Sequence, residues 1–136
     1  MRKKLFIGLL LMAFFSIAAI ANAAITSSEY ISDCYAKVAT YPGGRVTVSF
    51  DITATSTMDI LGVQTIIIQE KAPGSSRWSS VATLSSDDYS NMLAYNRRFH
   101  SADVSYYGGR SGYSYRAKVY FYAEKGGYDT KEFIAD

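Results

Sequence analysis

The chain has 136 residues, 14 of them basic and 12 acidic, with twelve tyrosines, one tryptophan, one histidine and one cysteine. A net charge of +2 gives no electrostatic footprint for nucleic acid. A lone cysteine excludes an internal disulfide framework, and one histidine with one cysteine is too few for a structural zinc site.

The first predicted element is one that is removed. Arg2, Lys3 and Lys4 head an uncharged apolar run from Leu5 to Ile20, and Ala21-Asn22-Ala23 closes it. That order is a secretory signal peptide with an A-x-A cleavage site. Sixteen apolar residues also fall short of the ~20 that cross a bilayer. Cleavage after Ala23 assigns residues 1–23 to the signal and 24–136 to one domain. The 113 residues that remain hold eleven basic and twelve acidic groups, a net charge of −1. The expected mature protein is therefore secreted and nearly neutral. It has no lipobox before Cys34, no apolar tail before Ala135-Asp136 and no stable membrane anchor.

Tyr30 to Ala39 is rich in β formers and predicts a first strand. Cys34 lies in it, either as a small buried strand residue in a monomer or as the link of an intermolecular disulfide dimer. Pro42-Gly43-Gly44 supplies a turn. From Arg45 to Ala54, Val46, Val48, Phe50 and Ile52 alternate with polar residues, so one face is buried and one is wet. Ile60 to Glu70 is more continuously apolar and predicts a central strand, with a bulge at Gly62.

After the turn Ala72-Pro73-Gly74-Ser75-Ser76, Trp78 to Leu84 reads as a short strand. Ser85 to Asn96 is polar and fits a loop or one capped helical turn. Arg97 to Tyr106 predicts a strand with His100, Ala102 and Val104 on one side. Gly108 to Gly112 breaks the chain. Tyr113 to Glu124 is the second clear strand. Tyr115, Ala117, Val119, Phe121 and Ala123 share its inner face; Arg116, Lys118, Tyr120, Tyr122 and Glu124 share its outer face. Lys125-Gly126-Gly127 turns into a last strand, Tyr128 to Ile134. About seven short antiparallel strands in one domain point to an all-β sandwich of immunoglobulin type.

Tyr115 through Ala123 resembles the penultimate strand of fibronectin type III and related immunoglobulin-like domains. The resemblance implies that Tyr115 is a corner tyrosine whose hydroxyl bonds back to nearby backbone. Ile60-Leu61-Gly62-Val63, Ile66-Ile67-Ile68-Gln69, Trp78 with Val81, and the Tyr115 strand together resemble a family of small secreted proteins of Gram-positive bacteria. That resemblance implies a fold and a compartment, and transfers no catalytic residue. Tyr89-Ser90-Asn91 with His100 to Val104 is similar to part of the lactococcin-type secreted bacteriocins, whose glycine- and tryptophan-rich start this chain lacks.

Candidate chemistry is sparse. His100 is the single histidine, so a general base has one candidate. A Cys34/His100 dyad or a serine set with Asp87, Asp88 or Asp103 is formally available, but no G-x-S-x-G or cysteine-protease signature frames it. Asp87-Asp88 lacks the pattern of a calcium loop, and Gly108 to Gly112 lacks the phosphate-cradling pattern. No catalytic residue, metal or cofactor is assigned. The outer face of the Tyr113–Glu124 strand stands above this background. Tyr120 and Tyr122 beside Arg116 and Lys118 suit contact with an extracellular protein or glycan. The competing account is ordinary cross-strand packing under cationic stems. The expected function is non-enzymatic binding outside the cell, the alternatives being a small hydrolase built on His100 or a secreted bacteriocin.

Overall fold

The computed structural model describes residues 29–136. The signal-peptide expectation for residues 1–23 lies outside them. Among the described residues there are six antiparallel strands: β1 (Ile31–Tyr41), β2 (Arg45–Lys71), β3 (Ser79–Ser85), β4 (Leu93–Tyr106), β5 (Ser114–Glu124) and β6 (Tyr128–Ala135). A single 3-10 turn, Ser90–Met92, precedes β4. The fold is all-β, as the alternation predicts.

The strand count differs from expectation for one reason. The two strands expected at 45–54 and 60–70 are halves of one 27-residue strand, β2. The polar stretch between them keeps the extended backbone of the strand. Thr55 N–H donates to the Tyr30 carbonyl at 2.9 Å, and Arg98 Nε donates to the Ala54 carbonyl at 3.2 Å. Opposite β4 the register jumps from Thr53↔Phe99 to Met58↔Arg97, so β2 spends extra residues turning a corner there.

That corner folds the sheet onto itself. The first half of β2 lies between β1 and β4. The second half lies between β3 and β5, with β6 beyond β5. Two layers result, and their inner faces make the core. Phe121 of β5 meets Phe50 of β2 edge-on at 6.2 Å and Phe133 of β6 at 6.3 Å. Ile52, Leu61, Val63, Ile66, Ile68 and Val119 fill the space around them and are buried. Each such side chain contributes about 1.5–3 kcal/mol of transfer free energy.

One side of the sandwich nearly closes. Val38 N–H of β1 reaches the Asp136 carbonyl beyond β6 at 3.4 Å, and the Tyr35 and Phe133 rings meet edge-on at 5.7 Å. Tyr30 N–H donates to Asp129 Oδ2 at 2.9 Å across the same seam. Cys34 sits beside this seam. It is half-buried and unbonded rather than fully buried, and its partial burial, ahead of any nearby charge, pushes the thiol pKa up.

Gly62 marks a close approach rather than the bulge itself. The register against β5 slips one step later, between Val63 and Thr65. A Cβ on Gly62, whose φ is +153°, would lie 2.1 Å from the Met92 carbonyl oxygen. The missing side chain lets the 3-10 turn drop onto β2 and bury Met92 completely.

Candidate binding surface

The outer face of the second layer is built by register. Lys118 of β5 stands between Ile67 of β2 and Ile134 of β6. Tyr120 stands between Thr65 and Glu132. Arg116 stands beside Gln69, which in turn faces Ser80 of β3. Arg116, Lys118 and Tyr120 are half-buried, with their tips toward solvent in the alternation that the sequence predicts.

Arg116 is held by two partners. Its Nε donates to Gln69 Oε1 at 2.8 Å, and Gln69 Nε2 donates to Ser80 Oγ at 3.2 Å. Gln69 is buried, so these bonds satisfy a polar group that water reaches poorly. The guanidinium then lies over the Trp78 ring at 4.5 Å. The Lys71 ammonium lies 5.0 Å from the same ring. Trp78 thus sits under two cations, a fixed arrangement of ring and charge. Its sequence position signals a strand start and nothing more, because its partners come from other strands.

Tyr122 does not join this surface in the way expected. It faces outward but is 8% exposed. Its ring stacks on Tyr128 of β6 at 5.9 Å, and its hydroxyl donates to Glu124. The Glu124 hydrogen bond, then burial, pushes the phenol up to about 12. Tyr128, 68% exposed, supplies the solvent-facing ring in its place. The structure therefore brings Arg116, Lys118 and Tyr120 together, adds Trp78 and Lys71, and puts Tyr122 beneath Tyr128.

Neither Cys34 nor Asp103 meets His100. His100 Nε2 lies 2.6 Å from the Asn91 carbonyl oxygen, so that nitrogen is the donor. Its ring packs edge-on against Phe50 at 5.7 Å. Cys34 and His100 both pair with Ile52, one on each side, which sets them about 10 Å apart at two strand spacings. Ser101 and Asp103 alternate to the opposite face of β4, and the Ser101 hydroxyl donates to Asp51 at 2.5 Å. No group of three or more metal-ligating side chains occurs among the described residues.

Gly108 to Gly112 forms a loop packed on the β1–β2 turn, with Gly109 N–H donating to the Gly44 carbonyl at 2.8 Å. Between them lies a cleft of about 190 Å³, lined in part by Arg45 and Arg110. Each guanidinium covers its own tyrosine ring, Tyr41 at 4.0 Å and Tyr113 at 5.4 Å. The Tyr115 hydroxyl accepts from Arg110 N–H at 2.6 Å.

No family model matches the chain, and no curated protein matches it.

Proposed function

We propose that the protein is a secreted, non-enzymatic module that binds an anionic extracellular glycan or protein through the outer face of β3, β2, β5 and β6. The observation that carries this reading is the Trp78 ring, just before β3, with the Arg116 guanidinium 4.5 Å and the Lys71 ammonium 5.0 Å from it. Lys118 and Tyr120 continue that face along β5. The rings offer flat apolar area, and the three cations offer charge complementary to a carboxylate or sulfate.

Pre-organisation supports the same reading. The Gln69 bond fixes Arg116 before any partner arrives, so less side-chain entropy is lost on binding. Secretion rests on the basic head, the apolar run and the A-x-A triplet of residues 1–23. The test is retention of the purified protein on acidic glycans and on cell-surface fractions. Paired substitution of Arg116 and Lys118 by alanine is expected to abolish that retention without unfolding the chain.

A further inference from the structure

The side of the sandwich opposite the β1–β6 seam stays open along β4. Among the described residues, β4 pairs with β2 and with no other strand. Which of its backbone groups face outward follows from two sets of contacts. Asn91 lies in the turn outside the sheet, and its Nδ2 donates to the Asp103 carbonyl at 2.9 Å. That carbonyl therefore points to the open edge.

Backbone groups alternate between the two edges of a strand, so those of Ser101 and Phe99 point the same way. Side-chain pairing agrees. Thr47 Oγ1 and Ser105 Oγ lie 2.9 Å apart, and Ser101 meets Asp51 at 2.5 Å. Such close side chains mark pairs that exchange no backbone bond across the ladder.

The open edge has specific neighbours. Tyr95 and Phe99 are each 61% exposed and flank it. Arg97 lies between them, and no carboxylate pairs with Arg97 or Arg98 among the described residues. Asn96, at φ +56°, kinks the strand and ends the regular edge on that side. Asn91 covers it at Asp103. What remains is a short ladder from Arg97 to Ser101 that carries the Arg97 cation and the exposed Phe99 ring, with Tyr95 just beyond the kink.

Sheet edges usually carry blocking devices. Here the kink and the Asn91 contact limit the edge without covering its middle. We infer that the β4 edge from Arg97 to Ser101 takes an extended acidic peptide by strand addition. Main-chain bonds to Phe99 and Ser101 hold the peptide, and Arg97 selects for a carboxylate. A second copy of the chain fits less well, because antiparallel pairing of two such edges brings two Arg97 side chains together.

The test uses the purified protein and a fluorescent heptapeptide of alternating valine and glutamate. Three comparisons accompany it: the same peptide N-methylated at alternate residues, a lysine-for-glutamate peptide, and the Arg97→Glu protein. Saturable binding of the acidic peptide is expected. N-methylation, charge reversal of the peptide and Arg97→Glu should each weaken it at least about tenfold. The Phe99 and Ser101 amides should gain protection from hydrogen exchange on binding. Lys131→Glu, a reversal of an exposed charge on β6 at the opposite side of the sandwich, should leave the affinity unchanged. Absence of binding, equal binding of the N-methylated peptide, or protection confined to other strands would overturn the inference. So would protection of Phe99 and Ser101 that grows with protein concentration without peptide, since that assigns the edge to self-association.

Discussion

The Tyr115 hydroxyl donates to Glu70 Oε2 at 3.0 Å while accepting the Arg110 N–H at 2.6 Å. One oxygen atom thus joins β5, β2 and the β4–β5 loop. Both Tyr115 and Glu70 are 8% exposed, so the pair lies where a lost partner is felt. Arg110 also approaches Glu70, at 3.9 Å, but its side chain is 65% exposed and adds little. Tyr115→Phe should therefore destabilise the fold by about 2 kcal/mol. The urea midpoint should fall with an unchanged slope. A loss below about 0.5 kcal/mol would mean that water replaces the hydroxyl.

Gly62→Ala should be among the most damaging single substitutions. The new methyl would meet the Met92 carbonyl oxygen at 2.1 Å, and backbone on both sides must move. A loss of about 3 kcal/mol or more is expected. Gly126→Ala is the control. Its φ is +73° with nothing within 4 Å, so only backbone strain of about 1–2 kcal/mol applies. Thermal unfolding of the two variants side by side checks the difference.

Tyr122 predicts a loss of stability at alkaline pH. Its phenol is pushed up to about 12, chiefly by the Glu124 hydrogen bond. An unfolded tyrosine ionises near 10. Below pH 10 both states are protonated and the contribution is complete. Between about 10 and 12 the unfolded state releases its proton first, so stability falls as pH rises through that window. Tyr122→Phe should flatten this slope in urea titrations. An identical slope in the variant would assign the effect to another group.

Cys34 should behave as a slow, monomeric thiol. It is half-buried near the β1–β6 seam, and its partial burial raises its pKa. Less thiolate means slower alkylation. Iodoacetamide labelling at about pH 8 should accelerate sharply on unfolding, and the oxidised protein should run as a monomer on a non-reducing gel. A disulfide-linked dimer would restore the alternative that Cys34 joins two copies.

Alternation placed most strands correctly because a half-buried strand writes its two faces into consecutive residues. Arg45–Ala54 and Tyr113–Glu124 are the clearest cases. The corner at Ala54–Thr57 was illegible, since its pairing comes from Tyr30 and Arg98, both distant in sequence. The burial of Tyr122 was equally hidden. Its outward direction follows from period two, but its cover is a stack with Tyr128 on the next strand. Arg116, Lys118 and Tyr120 could be grouped from one strand alone. Trp78 could not, because its two cations sit on β2 and β5.

The most direct test of the binding face follows Trp78 itself. It is the single tryptophan and lies under Arg116 and Lys71, so its fluorescence reports on that surface. Titration with an acidic glycan should shift its emission saturably, with affinity falling as salt rises. The Arg116→Ala/Lys118→Ala protein should lose the response by at least about tenfold while keeping a cooperative urea transition, its midpoint lowered because Gln69 Oε1 loses its donor. An unaltered titration in that variant would contradict the account.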